Sequence, residues 1–194
     1  EQENTISKSY LNNINKTNYL IKIQKEFDEK KSYVVSNLNV TLNDKHFYLK
    51  RLSSENVKKL YYRNTFEGNE ELLYDPKKFK KESDDEYVIN YINPNWDGSK
   101  VAVSLTKKGK EISEIIIIDV KTKEIHQEVL RNSWVSEIGG ITWLPDNSGF
   151  IYVYHPTIDP KSPNFLKNTK SVIYKLKDKK DNLTELFSKN HNNN

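Results

Sequence analysis

The chain has 194 residues, with 31 Lys and Arg against 27 Asp and Glu, and a formal net charge of +4. Its charges alternate in sign along the chain, whereas nucleic-acid-binding proteins cluster basic residues, and no apolar stretch approaches the roughly 20 residues of a membrane span. We therefore expect neither nucleic acid nor a membrane as a partner. Because the chain has no Cys, it has no disulfide framework or thiolate metal site. We expect a soluble protein, and its compartment, cytoplasm or periplasm, stays open.

The first predicted elements are helices between residues 3 and 31. Apolar side chains recur there at three- and four-residue spacing, which places them on one helical face. In the second helix they are Tyr19, Leu20, Ile23 and Phe27. Such short, singly striped helices bury little by themselves, so we expect a partner surface. The chain also begins at Glu1 and contains no Met, from which we expect that an upstream segment was removed.

From about Val34 onward the pattern changes to short strands separated by turns. The predicted strands are Leu38–Leu42, His46–Leu52, Val57–Arg63, Glu71–Tyr74, Tyr87–Ile92, Lys100–Thr106, Ile112–Val120, Glu124–Leu130, Gly140–Trp143, Gly149–His155, Ser171–Leu176 and Leu183–Phe187. Residues 101–105 alternate in character, as in a strand with two unlike faces. Ile115–Ile118 is continuously apolar, which predicts a strand covered on both faces.

A turn followed by a strand occurs twice at a fixed spacing. Asp97 and Asp146 are 49 residues apart, and the Ser and apolar residues that follow them keep that spacing. A weaker earlier copy contains Asn43–Asp44–Lys45. Each unit of four short antiparallel strands in ~40 to 50 residues has the period of a β-propeller blade.

The predicted fold is therefore mainly β. It is a partial β-propeller of two to three four-stranded antiparallel blades, preceded by a short N-terminal helical segment. We divide the chain into a helical segment (1–33), incomplete propeller blades (34–188) and a disordered tail (189–194). Closed propellers have ~4 to 8 blades, so open blade edges predict self-association or a larger ring.

Several stretches in order along the chain resemble the prolyl oligopeptidase family of serine peptidases. They are QENTISKSYL at the start, HFYLKRL, VKKLYYRNTFEGNEELLYDP (57–76), DGSKVAVSLTKKGKEISEIIIIDVKTKE (97–124) and GGITWLPDNSGFIYVYHP. The resemblance implies a seven-bladed propeller inserted in an α/β-hydrolase domain, which supplies the catalytic Ser, Asp and His. By that map this chain holds the end of the N-terminal segment and the first blades. The missing hydrolase domain and short peptide substrates would be the partners of the full enzyme, and the propeller would control access to its active site.

The same resemblance implies a place for substrate contact. In this family, side chains a few residues before the Trp that corresponds to Trp143 face the cavity, and here those residues are Glu137 and Ile138. The family often has an aromatic residue where this chain has Ile. From the residues alone, the neighbouring Gly139–Gly140 pair indicates close backbone packing near the ring axis. Trp96 and Trp143 are predicted to occupy equivalent repeat positions and to pack between blades.

No catalytic or metal site is predicted within the chain. The six glycines frame no G-x-S-x-G motif, the four His residues lack H-E-x-x-H spacing, and the run Asp84–Glu86 lacks the spacing of a calcium loop. We expect no cofactor, and no hydrolase activity from this chain alone. Two alternatives remain: a non-catalytic β-propeller-like protein-interaction module, and a relative of the peptidases that cleaves after basic residues.

Overall fold

The computed structural model describes residues 2–14, 16–80, 82, 84–134 and 140–191. It begins with two helices, α1 (Gln2–Asn12) and α2 (Thr17–Glu29). Short 3₁₀ turns lie at Pro76–Lys78 and Lys189–His191. Neither described helix has the length and apolar character needed to cross a membrane.

Three four-stranded antiparallel sheets follow the helices, and each is built from strands consecutive in the chain. Sheet 1 contains β1 (Tyr33–Val40), β2 (His46–Leu52), β3 (Lys59–Arg63) and β4 (Glu71–Tyr74). Sheet 2 contains β5 (Tyr87–Pro94), β6 (Lys100–Lys107), β7 (Ile112–Asp119) and β8 (Leu130–Trp134). Sheet 3 contains β9 (Thr142–Trp143), β10 (Gly149–Tyr154), β11 (Lys170–Lys175) and β12 (Thr184–Phe187). The expected class, a mainly β chain with blade-like four-stranded units after a helical segment, is confirmed.

The chain separates into two compact units. One comprises the residues up to Val34 together with Arg51–Asn56, and the other comprises Val35–Lys50 and the residues from Val57 onward. In the first unit, the apolar stripe of the helices is exposed to solvent, and α2 has no buried residue. The exposed stripe contains Tyr10, Leu11, Ile14, Tyr19, Leu20, Ile23 and Phe27. The proposed boundaries at residues 33 and 188 remain predictions.

In the second unit, sheet 2 is covered on both faces. Along β6, Val101, Val103 and Leu105 belong to one apolar cluster, which they share with residues of sheet 1. Ala102, between them, belongs to a second cluster shared with sheet 3. The apolar run Ile115–Ile118 of β7 divides between the same two clusters. This arrangement follows from the alternation of side chains along a strand, and it explains why that run has no polar face.

The packing of sheet 3 on sheet 2 is dominated by aromatic side chains. Phe150 is fully buried, and its ring lies 5.1 Å from that of Trp143 and 5.7 Å from that of Tyr174. Tyr152 and Tyr174 are buried in the same cluster. The aromatic side chains of β10, which follows the turn that begins at Asp146, therefore belong to the core.

Two predicted strands were misplaced. The predicted strand Leu38–Leu42 overlaps only the end of β1, Tyr33–Val40. The segment Glu124–Leu130 was expected to form the outer strand of sheet 2, but this strand is β8, Leu130–Trp134. Residues 124–126 make only a short antiparallel bridge, Ile118 with Ile125, at the end of β7. Regular pairing resumes where Leu130 lies opposite Ile115. The apolar residues between Glu124 and Leu130 are too widely spaced to show which of them pair with β7. The sequence therefore indicated that a strand lies next to β7, but not the register of that strand.

Candidate functional site

The repeated turn is a repeated backbone conformation. Asp44, Gly98 and Asn147 occupy the same place in the first hairpin turn of the three sheets, with φ of 61°, 59° and 58°. Each donates its N–H to the carbonyl three residues earlier, at 3.0 to 3.1 Å. Asp, Asn and Gly tolerate this left-handed conformation better than other residues. The weaker copy that the sequence indicated in sheet 1 is thus a third instance of the turn.

Neighbouring turns are joined by hydrogen bonds. Asn43 Nδ2 of the first turn donates to the carbonyl oxygen of Asp97 in the second, at 2.9 Å. The backbone N–H of Trp96 in the second turn donates to Asn147 Oδ1 of the third, at 3.0 Å. The side chains of Asn43 and Asn147 therefore link one sheet to the next.

The innermost strands are linked in the same way. Asn37 Nδ2 in β1 donates to the carbonyl of Asn90 in β5 at 3.2 Å. Asn93 Nδ2 in β5 donates to the carbonyl of Ile141, just before β9, at 2.7 Å. In return, Trp143 Nε1 donates to the carbonyl of Asn93 at 3.0 Å. These bonds hold the inner strands of the three sheets side by side.

A recess of about 330 Å³ lies where these strands converge. Its walls contain amide side chains, backbone groups and apolar side chains. They are Asn37, Leu38, Asn39, Tyr91, Ile92, Asn93, Gly140 and Ile141. Among the described wall residues the titratable one is Tyr91, and burial raises the pKa of its hydroxyl above the ordinary value, so it stays protonated at neutral pH. The described walls can hydrogen-bond a peptide, but they supply neither a nucleophile nor a general base.

The predicted substrate-contact residues, Glu137 and Ile138, lie outside the described residues, as does Gly139. Gly140, the second glycine of that pair, is described and lines the recess. The described chain therefore resumes beside the inner strands. The roles of Glu137 and Ile138 stay predictions.

The two tryptophans are not equivalent, contrary to expectation. Trp143 is buried in β9 and pairs with Phe150, the position at which β5 has Pro94 paired with Val101. Trp96 lies in the turn, is half exposed, and donates its Nε1–H to the carbonyl of Trp143 at 3.3 Å. Trp143 packs between sheets as predicted, whereas Trp96 covers the turn. In the sequence both tryptophans shortly precede an Asp–x–Ser turn, so they looked equivalent. In the structure they occupy different positions relative to the strand pairing.

The acidic run before β5 forms ion pairs with lysines. Asp85 lies 2.6 Å from Lys107 Nζ, and Glu86 lies 2.8 Å from Lys108 Nζ, at the far end of β6. Within the described residues, no group of three or more His, Asp or Glu side chains is arranged to hold a metal ion. These carboxylates therefore tie the start of β5 to the end of its neighbour.

His155 is a buried histidine whose pKa is shifted by its surroundings. It follows β10, is 6% exposed, and its ring lies 5.2 Å from that of Trp134. Its backbone N–H donates to the carbonyl of Asn132 at 2.8 Å, and Nδ1 lies 3.4 Å from Thr169 Oγ1. Its buried Nε2 has no hydrogen-bond partner among the residues that the structure describes. Burial lowers the pKa of His155, so the ring is neutral at pH 7.

This burial predicts a loss of stability in mild acid. In the unfolded chain His155 binds a proton below about pH 6.5. In the folded chain its pKa is lower, so protonation at mildly acidic pH favours unfolding. The free energy of unfolding therefore decreases as the pH falls from about 6.5 toward the pKa of His155 in the folded chain. We expect the free energy of unfolding, from urea titrations at pH 7.5 and pH 5, to fall more in the parent than in His155→Gln or His155→Phe. Equal losses in parent and variants would show that His155 does not carry the effect.

Three sheets of consecutive strands, with inner strands converging on an amide-lined recess, define part of a β-propeller. The family model for the N-terminal β-propeller domain of prolyl oligopeptidase matches residues 1–193. The chain therefore belongs to the prolyl oligopeptidase family, as the sequence motifs indicated.

Curated relatives agree with this assignment. The prolyl endopeptidase of Elizabethkingia meningoseptica is 30% identical over 108 residues, which are 56% of this chain and 14% of that protein. The prolyl endopeptidase of Elizabethkingia miricola matches to the same extent. The matched part of the chain thus spans about one seventh of the length of these relatives.

Solved structures share the fold. A prolyl endopeptidase superimposes with a TM-score of 0.68 and 24% identity, covering 84% of this chain and 24% of that one. Prolyl oligopeptidase B from Galerina marginata, bound to a 25mer macrocyclization substrate, gives 0.72 with 13% identity, over 96% and 28% of the two chains. Oligopeptidase B from Leishmania major gives 0.65 with 15% identity, over 87% and 22%. At these identities the superpositions establish the propeller fold.

Proposed function

We propose that this chain is the first part of the propeller of a prolyl oligopeptidase-like serine peptidase, and that the complete protein hydrolyses short peptides after proline. The observation that carries the proposal is the recess between the inner strands, whose described walls have amide and backbone groups but no acid or base suited to bond cleavage. A domain that only controls the entry of substrate needs groups that can contact a peptide, but it needs no nucleophile. We call such a domain a substrate gate. The nucleophile, its base and the oxyanion donors would come from the catalytic domain.

The gate would act by size. Side-chain hydrogen bonds from Asn37 and Asn93 hold the inner strands together, so widening the recess costs those bonds. Each is worth about 1 kcal/mol. An extended peptide fits beside such walls, whereas a folded protein would have to separate whole sheets. Entry of a folded protein would therefore be disfavoured relative to entry of an extended peptide.

The helical segment would bind the catalytic domain. Its apolar stripe is exposed along both helices, with Tyr10 and Phe27 among the most exposed members. Burying large apolar side chains contributes about 1.5 to 3 kcal/mol each, so a partner that covers the stripe would be held firmly. An α/β-hydrolase domain is the partner that the family resemblance implies.

The test uses the complete gene product. We expect it to hydrolyse a short chromogenic peptide with proline before the scissile bond at least about tenfold faster than the matched lysine peptide, and to leave the same proline bond uncut in a folded protein. Faster cleavage of the lysine peptide would favour the alternative specificity for basic residues. Absence of any serine-hydrolase activity would overturn the peptidase proposal and leave the interaction module.

Exposed apolar residues on the edge of sheet 3 give the interaction module its support. The outer strand β12 is an edge strand, and its Leu186 and Phe187 are 47% and 58% exposed. Edge strands with exposed apolar residues pair readily with other chains. An interaction module would use such an edge to pair with a partner chain.

Self-association is the expected consequence for this chain alone. Light scattering coupled to size-exclusion chromatography should show a mass above 22.8 kDa that rises with concentration. The double variant Leu186→Lys, Phe187→Lys should shift the chain toward monomer, because charge on an edge opposes pairing. The control Leu42→Lys changes an exposed turn residue and should leave the mass unchanged. A monomer at all concentrations would refute the prediction.

A further inference from the structure

A second cavity, of about 490 Å³, lies away from the inner strands. It is formed by the ends of β6, β7 and β8 in sheet 2 and by the long β10–β11 connection, residues 155–169. It combines an apolar wall with several cationic side chains. Neither feature has a role in the gate described above.

The apolar wall comes from both sheets. Leu105 and Ile112 line it from sheet 2, and Ile158 and Phe165 line it from the β10–β11 connection. Ile158 is 44% exposed, so part of this wall faces water in the free protein. An apolar group of amino-acid size entering the cavity would cover that surface, which is favourable at about 25 cal/mol per Å².

Four cationic side chains, those of Lys80, Lys107, Lys110 and Arg131, line the cavity together with two carboxylates, Glu111 and Glu114. Glu114 accepts from Lys80 Nζ at 2.6 Å and lies 3.4 Å from Arg131 Nε, so two cations share one carboxylate. Lys110 lines the cavity and has no ion pair among the described residues. Lys107 is occupied by Asp85 at 2.6 Å. Arg131 is 63% exposed in its side chain, which leaves its guanidinium accessible to a ligand.

The cavity is held in a defined shape. Lys80 has a φ of +47°, and its Nζ lies 5.3 Å from the ring centres of both Phe79 and Tyr87. Asn132 has a φ of +62°, and its Nδ2 donates to the carbonyl of His155 at 2.9 Å. Although burial lowers the pKa of Lys80, its hydrogen bonds to Glu114 and Tyr87 hold that pKa above the ordinary value, so the cation persists.

We propose that this cavity binds a small apolar carboxylate, with the carboxylate paired to Arg131 and Lys110 and the apolar group against Ile158, Phe165 and Ile112. Arg presents a planar fork of donors that matches a carboxylate. Glu114 holds Lys80 and one edge of Arg131 in place and so orients the donors. Two sources have this chemistry: the C-terminal residue of a peptide and a free organic acid. The inference does not depend on the proposed peptidase activity.

Calorimetric titration of the chain with three organic compounds and with inorganic phosphate tests the chemistry. N-acetyl-leucine represents a peptide C terminus, 4-phenylbutyrate represents a free acid, and N-acetyl-leucinamide lacks the charge. We expect at least one acid to bind, and the amide to bind about tenfold more weakly than N-acetyl-leucine if a peptide C terminus is the ligand. Tighter binding of phenylbutyrate would assign the site to free acids. Equal binding of acid and amide, no binding of either acid, or tighter binding of inorganic phosphate would overturn the proposal.

Variants locate the site. Arg131→Gln and Lys110→Gln should each weaken binding of the acid by about three- to tenfold, and Ile158→Asn should weaken it through the apolar wall. Lys177→Gln makes the same charge change in a different cavity and should leave the affinity unchanged. Each substituted residue is exposed or partly exposed, so the variants should fold. Affinity that is unaffected by the Arg131 and Lys110 changes would place the ligand elsewhere.

Discussion

Replacing Gly149 with Ala is expected to destabilise the chain by at least about 3 kcal/mol. Gly149 begins β10 and lies opposite Lys175 in β11. A Cβ atom on Gly149 would lie 2.1 Å from the carbonyl oxygen of Tyr174 and 2.9 Å from the Cα of Lys175. Both atoms belong to the backbone of the neighbouring strand, so no side-chain rotation can relieve the overlap. The two central strands of sheet 3 would have to separate.

Gly109→Ala is the matched control. A Cβ there meets nothing within 4 Å, and the cost is limited to its φ of +80°, about 1 to 2 kcal/mol for a left-handed residue. Urea denaturation followed by tryptophan fluorescence measures the stability of both variants, because Trp143 is buried in the apolar cluster between sheets 2 and 3. If Gly149→Ala unfolds at the same urea concentration as Gly109→Ala or the parent, the close approach of β10 and β11 is wrong.

Truncating Phe150 to Ala should cost about 3 to 5 kcal/mol. The side chain is fully buried and touches rings on β9 and β11, so the cavity left behind cannot collapse easily. Because domains of this size are stable by only ~5 to 15 kcal/mol, sheet 3 would lose its packing on sheet 2 before sheets 1 and 2 unfold. Hydrogen exchange should therefore accelerate first in β10 and β11.

Phe66→Ala removes the same side chain where it is 71% exposed. Substitutions at such surface positions usually change stability by less than about 0.5 kcal/mol. Similar losses in the two variants would mean that the aromatic run of β10 is not the core between the sheets. Uniform acceleration of exchange across all three sheets in Phe150→Ala would contradict the order of unfolding given above.

Much of the fold could be predicted because local chemistry determines it. The 49-residue spacing of Asp97 and Asp146 identified the repeated unit, since the same turn needs the same few residue types at each occurrence. The run Ile115–Ile118 identified the strand covered on both faces. The family motifs then indicated which propeller these units belong to.

Features that depend on pairing between distant strands could not be predicted. The outer strand of sheet 2 was predicted at an earlier part of the sequence than the one that forms it. Its position is set by pairing with Ile112–Ile115 of β7 and not by the strand's own sequence. The difference between Trp96 and Trp143 is also one of register. The asparagine bonds between inner strands lie more than 40 residues apart in sequence, for example between Asn93 and Ile141, and no local pattern marks them.

The sequence indicated only part of the recess between the inner strands. Gly140 was singled out for close backbone packing, and it lines the recess between the inner strands. The amide residues around it, such as Asn37 and Asn39, were missed because Asn is frequent throughout this chain and its occurrence carries little information. A signal was present in hindsight: alternate asparagines at Asn37 and Asn39 on an apolar strand.

The measurement that tests the central claim most directly is the size and activity of the native gene product. Antibodies raised against this chain would be used to isolate the protein from its source, followed by mass determination, peptide mapping and assay with a proline peptide. Because 108 residues make up 14% of the prolyl endopeptidase of Elizabethkingia meningoseptica, we expect a polypeptide about four times as long as this chain, with proline-specific hydrolysis. A native protein of about 23 kDa without hydrolase activity would contradict the account.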